Sequence, residues 1–257
     1  MGTPAAATPW SSPGLLRWTA VLLAVDAAAF LLAVSFTRQG NLALTVLGLA
    51  GAWAALSLLA VCLLYLSAAR GGDPGPLLKG ERHGWMQGVF FPFRVVSYSV
   101  FAGARWTRRS AVFDEVSPGV FLGARLFPWE AEMLRARGVT GVIDLTSELP
   151  TAAVFARAPF ERHAVPTLDR APPTPATMDA AVRWAVARVE AGEAVYVHCA
   201  FGRGRSATVA AALLIALGRA KGAAEAVAMV AAARPSVRVK GDQYAALEGF
   251  AARRAGR

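Results

Sequence analysis

Apolar residues first gather in two long runs and then, past the middle of the chain, break into short alternating segments. The runs, Leu15 to Phe36 and Leu42 to Ala69, each reach the roughly 20 residues that a bilayer-spanning helix needs. A short turn containing Arg38, Gln39, Gly40 and Asn41 separates them, so the pattern predicts a transmembrane hairpin over residues 15–69. A cleaved signal peptide is the alternative for the first run, but a second full-length run directly behind it favours an anchor. Residues 1–14, rich in Pro, Ala, Thr and Ser, read as a disordered lead. Asp26 lies within the first run, where a charge is expensive and points by default to function. It has no intramembrane partner in the sequence, so a neutral or helix-packing role is preferred over transport.

Residues 70–110 read as a linker and an interfacial amphipathic segment. GGDPGPLLKGERH, residues 71–83, is rich in glycine and proline, and WMQGVFFPFRVVSYSVFAGARW follows it. The second stretch is apolar but carries Pro92, Arg94, Arg105 and the flanking Trp85 and Trp106, an interleaving that suits a segment lying in the membrane interface. A third span over 85–106 is the alternative, and it would put everything downstream on the opposite side of the membrane.

From residue 111 the pattern predicts an α/β domain running to 257. Val120 to Leu122, Val139 to Leu145 and a segment ending at His163 to Pro166 read as strands, and Trp129 to Arg137, closed by Gly138, as a helix. Thr174 and Pro175 read as a helix start, with Met178, Val182, Ala185, Val186 and Val189 on one face and Gly192 past the end. A strand ending at His198 and helices near 206–217, 222–233 and 241–253 complete a sheet flanked by helices.

Composition changes this picture little. The chain is 55% hydrophobic with a mean hydropathy of +0.42, and the excess sits before residue 70. The net charge of +10 is spread as single arginines, which suits phosphorylated substrates and anionic headgroups at least as well as nucleic acid, and no nucleic-acid partner is expected. Arg17 lies at the start of the first run and Arg38 in the turn, whereas Arg70, Lys79, Arg82, Arg94, Arg105, Arg108 and Arg109 follow the second. That asymmetry predicts a two-span protein of the cell membrane with both termini and the α/β domain cytoplasmic. Two cysteines, Cys62 and Cys199, offer no disulfide framework or metal cluster.

The chemistry concentrates in HCAFGRGRS, His198 to Ser206, which follows a β-like run and precedes a helix-like one. A thiol attacks phosphorus as the thiolate, a form favoured by a helix N-terminus and nearby positive charge. Cys199 is placed to be that nucleophile. Ala200, Phe201, Gly202, Arg203, Gly204 and Arg205 form a phosphate-binding loop whose glycines let backbone N–H groups point inward. Arg205 can grip two phosphate oxygens through its planar fork, and Ser206 can hydrogen-bond the sulfur when it leaves. His198 either orders the loop or is a plain buried histidine. Arg203 is either a second phosphate contact or a solvated rim charge. Departure of an alcohol or phenol also needs a general acid from a mobile loop, and Asp169, opening the proline-rich stretch after VPTL, is the preferred residue. Asp144, inside a strand, and Asp179, inside a helix, are worse placed; the bland reading of Asp169 is a turn former. No metal and no cofactor are expected.

His198, Cys199, Arg205 and Ser206 match the His-Cys, five residues, Arg, Ser/Thr motif, and Asp169 matches the acid loop. On these residues the segment Val165 to Leu217 resembles the cysteine-dependent protein tyrosine phosphatase superfamily in its compact dual-specificity branch. SPGVFLGAR and RPSVRVKGDQ extend the resemblance weakly over residues 116–250. It implies a compact dual-specificity-phosphatase-like fold and hydrolysis of phosphotyrosine, phosphoserine or phosphothreonine through a phosphocysteine intermediate. VPTLD and YVHCAFGRGRS also resemble branch members acting on phosphatidylglycerophosphate, so a membrane lipid phosphatase, on phosphatidylglycerophosphate or phosphoinositide, is the alternative. The partner is thus a phosphorylated protein or a phospholipid, at a membrane. From another class, a catalytically silent phosphate-binding membrane scaffold is disfavoured because no motif residue is lost, and rhodanese-like sulfur transfer needs neither the Arg-Ser ending nor an upstream acid.

Overall fold

A computed structural model describes residues 13–38, 41–80, 83–107, 111–156 and 159–256, with the backbone alone for 13–19 and 22. Residues 1–12 of the lead expected to be disordered, Gln39 and Gly40 of the turn, and Arg82, Arg108 and Arg109 of the charge asymmetry lie outside the described residues. The chain divides into two compact units, Met1–Val100 and Phe101–Arg257.

In the first unit, α1 (Pro13–Thr37) and α2 (Leu42–Ala69) form an antiparallel helix pair, followed by α3 (Gly75–Lys79), α4 (Gly84–Val89) and the start of α5 (Phe91–Thr107). Asn41 ends the turn as the N-cap of α2: its side chain accepts from the Ala43 and Leu44 N–H groups at 2.9 and 3.3 Å. Small residues let the pair close up, and a Cβ added at Gly48 would lie 2.6 Å from the Ala33 carbonyl oxygen. Among the described residues, one helix is both long and apolar enough to cross a membrane, α2, with a mean hydropathy of 2.2. The stretch that read as a glycine and proline linker contains the turns of α3, and the apolar stretch behind it is divided between α4 and α5. At 17 residues, α5 falls short of the roughly 20 a span needs.

The second unit is a five-stranded sheet with helices on it. Its strands are β1 (Phe113–Ser117), β2 (Val120–Ala124), β3 (Val139–Thr146), β4 (Glu161–Thr167) and β5 (Ala194–Cys199), in the order β1-β2-β5-β3-β4. The β1–β2 pair is antiparallel and the remaining pairs are parallel, so the sheet is mixed. The helices are α6 (Ala131–Arg135), α7 (Pro175–Glu190), α8 (Arg205–Ala216), α9 (Ala223–Ala233) and α10 (Asp242–Ala255). The expected strands and helices form, but the helix expected over Trp129 to Arg137 shrinks to α6, preceded by a 3-10 turn over Pro128–Glu130. β1 is an addition, an edge strand that the pattern did not announce.

β5 lies at the centre and is buried throughout. Its period-2 alternation sorts side chains between two cores. Val195, Val197 and Cys199 join the core built with α7, α8, α9 and α10, whereas Ala194 and Tyr196 join Phe121, Leu134, Phe155 and Phe160 on the other face. That parity sends the Cys199 side chain to the face where α8 begins. Sequence signals fix the flanking helix: the Thr174 side chain caps α7 by accepting from the Thr177 N–H at 3.2 Å, and Gly192 ends it at φ +83°. Strands β2, β3, β4 and β5 run parallel, so their carboxyl ends open on one edge, where ligand sites of such sheets collect.

Candidate active site

Three of those carboxyl ends supply the site. β5 ends at Cys199, β4 leads to Asp169 and β3 leads to Glu148. Cys199, 4% exposed, receives two hydrogen bonds at sulfur: the Gly202 N–H at 3.3 Å and the Ser206 hydroxyl at 3.2 Å. Residues 200–204 turn tightly between strand and helix. Gly202 takes φ +69°, and a Cβ there would lie 2.4 Å from the Gly123 carbonyl carbon, so both the conformation and the space require glycine. Gly204 abuts Gln243, and the Gln243 side-chain amide donates to the Ala171 carbonyl at 3.3 Å, which ties the start of α10 to the loop after Asp169.

Arg205, the first residue of α8, is 2% exposed and nearly all of its fork is engaged. Nη1 donates to Glu148 Oε2 at 2.9 Å and to the Thr167 carbonyl at 2.8 Å; Nη2 donates to Glu148 Oε1 at 2.7 Å and pairs with Asp169 Oδ1 at 3.1 Å. Nε is buried without a hydrogen-bond partner. An unmatched buried guanidinium N–H is costly, and a phosphate oxygen between it and Cys199 would satisfy it. Burial works against the Arg205 charge, but Glu148 and then Asp169 more than offset it and hold the guanidinium ionised. Burial likewise pushes the Glu148 carboxyl up, yet the Arg205 charge and hydrogen bonds outweigh it and leave Glu148 below the usual carboxylate range.

The sequence-predicted residues therefore meet. Cys199, Arg205, Ser206, Asp169 and the loop 200–204 share one edge of the sheet, with the Asp169 side chain 59% exposed beside Arg205. Asp144 is spent elsewhere, accepting from the Thr146 N–H and hydroxyl at 2.9 and 2.6 Å, and Asp179 pairs with Arg253 at 3.2 Å. His198 is buried, its ring stacked on Tyr196 at 5.4 Å with Nδ1 3.4 Å from the Cys199 carbonyl oxygen. The Arg203 carbonyl accepts from the Arg238 N–H at 2.8 Å. Metal-ligating clusters of three or more His, Cys, Asp or Glu side chains do not occur among the described residues.

Three supports escaped the sequence reading. Glu148 grips Arg205 on two atoms. Arg234, 4% exposed, donates from Nε to the Gly202 carbonyl at 3.0 Å and from Nη1 to the Ala111 carbonyl at 3.1 Å and to Asp114, bracing the loop against β1. The Tyr196 hydroxyl donates to the Ala124 carbonyl. Glu148 was within reach: it stands two residues past the end of β3, where a parallel sheet collects its ligand groups.

Comparison with known proteins agrees with this geometry. Phosphatidylglycerophosphate phosphatase PTPMT2 of Arabidopsis thaliana is 28% identical over 134 residues, 49% of this chain and 56% of that protein. Phosphatidylglycerophosphatase and protein-tyrosine phosphatase 1 of Mus musculus is 29% identical over 171 residues, 63% of this chain and 87% of its own length. The chain thus spans little more than half the length of the plant relative. The crystal structure of PTPMT1 in complex with PI(5)P superposes on 57% of this chain and 99% of its own at 28% identity, with a TM-score of 0.54. Tk-PTP in its active form covers 55% of this chain at 26% identity, with a TM-score of 0.51. The model of the Swiss Army Knife protein DSP-PTPase phosphatase domain matches residues 113–247, more than half of the chain, and the protein belongs to that family of cysteine-based phosphatases.

Proposed function

We propose that the chain hydrolyses phosphomonoesters through a phosphocysteine intermediate at Cys199. The observation that carries this reading is the Arg205 Nε–H, buried and unpartnered beside a cysteine that already holds two hydrogen-bond donors at sulfur. A phosphate seated on the N–H groups of residues 200–204 takes Arg205 Nε and Nη2, and Asp169 is freed from Nη2. The Cys199 thiolate attacks phosphorus; the S–P bond forms as the P–O bond to the leaving group breaks, and the Asp169 carboxyl gives its proton to the departing oxygen. Water then attacks the phosphocysteine, Asp169 accepts its proton, and the S–P bond breaks with Ser206 hydrogen-bonding the departing thiolate. Arg205, pre-oriented by Glu148, stabilises the charge spread over the equatorial oxygens in both steps.

The substrate is a phosphorylated protein, as in dual-specificity phosphatases, or a phospholipid. The mouse relative, named as both phosphatidylglycerophosphatase and protein-tyrosine phosphatase, supports both classes, and the plant relative named for phosphatidylglycerophosphate and the PTPMT1 structure with PI(5)P support the second. Domain limits follow the sequence: two membrane helices over 15–69, a linker and interfacial segment to 110, and the phosphatase domain from 111, with its site at the cytoplasmic face. The 25 residues of α1 and the 28 of α2 support the two spans.

In full-length protein, Cys199→Ser is expected to abolish hydrolysis of p-nitrophenyl phosphate measured in EDTA, and retained turnover would remove Cys199 as nucleophile. Asp169→Asn is expected to slow esters with poor leaving groups far more than those with good ones; equal slowing would move the acid elsewhere. A parallel assay of phosphotyrosine peptide, phosphatidylglycerophosphate and phosphoinositide in lipid decides the substrate class by kcat/KM.

A further inference from the structure

Phe101, which precedes the family-matched residues, packs directly on the phosphate loop. Its side chain is 1% exposed, and its ring centroid lies 6.0 Å from that of Phe201 in the loop and 5.4 Å from that of Phe127. It shares a cluster with Ala200, beside Cys199, and Leu149, beside Glu148. Arg125 closes the cluster: its guanidinium sits 5.7 Å from the Phe101 ring, its N–H donates to the Ala200 carbonyl at 3.1 Å, and its Nε donates to the Pro150 carbonyl at 3.1 Å. Phe127 stacks in turn on Trp129, with centroids 4.6 Å apart and planes 11° from parallel, and Trp129 is 74% exposed. A row of rings therefore runs from the surface to the loop. Arg105, with its guanidinium 5.8 Å from the Phe127 ring, pairs with Glu130 and so ties the end of α5 to the turn carrying Trp129. Trp106 beside it is 91% exposed.

We propose that Trp106 and Trp129 seat on a lipid bilayer interface and that this contact is relayed to the phosphate loop through Phe127, Phe101 and Phe201. The inference rests on the reading of the chain as a membrane-held phosphatase and adds the place where lipid touches the catalytic unit. Three observations select a bilayer as the occupant. The same chain carries the apolar α2; the exposed side chains are tryptophans, which favour the headgroup level; and the net charge of +10 suits anionic headgroups. The relay follows from packing: close-packed rings transmit a displacement because they have no voids to absorb it. Phe101 touches both sides of the site, the loop that gives Cys199 its N–H donor and the segment that carries Glu148.

The test uses the full chain in vesicles of phosphatidylcholine and phosphatidylserine. Docking is read from the tryptophan emission removed by Trp106→Phe/Trp129→Phe: quenching of that share by brominated lipid is expected, and quenching by aqueous acrylamide alone overturns the seat, as a protein-facing or free surface would give. The relay is read from protection of Cys199 by orthovanadate against iodoacetamide. Phe101→Ala is expected to raise the half-protecting vanadate concentration about tenfold, with Phe101→Leu recovering most of the loss. Leu134→Ala, a cavity in the core on the other sheet face, should lower Tm without moving the vanadate value. Trp129→Ser, at the exposed end, should weaken protection on vesicles in the same direction, and it decides the matter if Phe101→Ala does not fold. Unchanged protection in the Phe101 and Trp129 variants overturns the relay. Neither readout needs turnover, so an inactive wild-type chain would refute the phosphatase reading and leave the docking result to stand by itself.

Discussion

Arg205 shows how much of the site one ion pair supports. Its guanidinium is buried at 2% exposure, and Glu148 faces it with both oxygens, at 2.9 and 2.7 Å. Removing one partner of a buried pair leaves the other charge uncompensated, at a cost of about 3–5 kcal/mol. Glu148→Gln keeps the shape and one acceptor, so a loss at the lower end, about 3 kcal/mol, is expected in urea unfolding, together with a fall in kcat. The pH dependence has a definite sign. The folded Glu148 carboxyl lies below its usual range, so its stabilisation is complete above the unfolded value of about 4.3 and is lost as pH falls below that toward the folded value. The Gln variant should therefore lose less stability than wild type between pH 5 and the acid limit, a difference read by unfolding at stepped pH of about 3 to 6. The position of Glu148 just past β3 marked it as a candidate, but its pairing with Arg205 was not legible in SELP, because the two stand 57 residues apart and only folding joins them. Cys199, Arg205 and Ser206 were legible because a loop between one strand and one helix fixes all three locally. Gly202 belongs to the same local set: Gly202→Ala must carry a Cβ at φ +69° into the Gly123 backbone, and it should weaken orthovanadate binding while β5 and α8 persist by circular dichroism.

The sheet decides where these loop residues point. β5 was legible because Val195 and Val197 alternate with Ala194, Tyr196 and His198, and the same parity puts Cys199 over the start of α8. β1 was not legible: FDEVS carries two acidic residues in five and serves as an edge, so the hydrophobic alternation that marks a half-buried strand is faint. Its importance comes through Asp114, which pairs with Arg234 while Arg234 Nε holds the Gly202 carbonyl. One buried side chain thus joins the edge strand, the approach to α10 and the phosphate loop. Arg234→Ala leaves a buried carbonyl and a carboxylate without their donor, a loss of about 3 kcal/mol by the same reasoning as for Glu148. Because Arg234 sits behind the loop, KM for p-nitrophenyl phosphate should rise with the loss of stability, and Arg234→Lys, which cannot span both partners, should recover little of either.

On the membrane-anchored reading proposed above, the two units divide the labour between place and chemistry. α1 and α2 rise about 1.5 Å per residue, so 25 and 28 residues give lengths above the roughly 30 Å of a hydrocarbon core. Their close approach at Gly48 and Ala33 is of the kind that lets helices associate without a hydrophobic drive between them. Apolar run length made this unit legible, whereas the turns of α3 and α4 were hidden by glycine and proline, residues that usually mark loops. Side is a separate matter from span, and on the proposed two-span reading charge sets it: the cationic residues that flank the runs lie chiefly after the second, so two spans would return the chain to the cytoplasm. A reporter fused after Arg257 should therefore give a cytoplasmic signal, and one fused within the turn at Asn41 an external one. An external signal at Arg257 would require a third crossing between α2 and β1. The 17 residues of α5, interrupted from α4 at Phe90, make that crossing too short to be comfortable in a bilayer, and replacing Arg94 and Arg105 by leucine is the change that should begin to favour it.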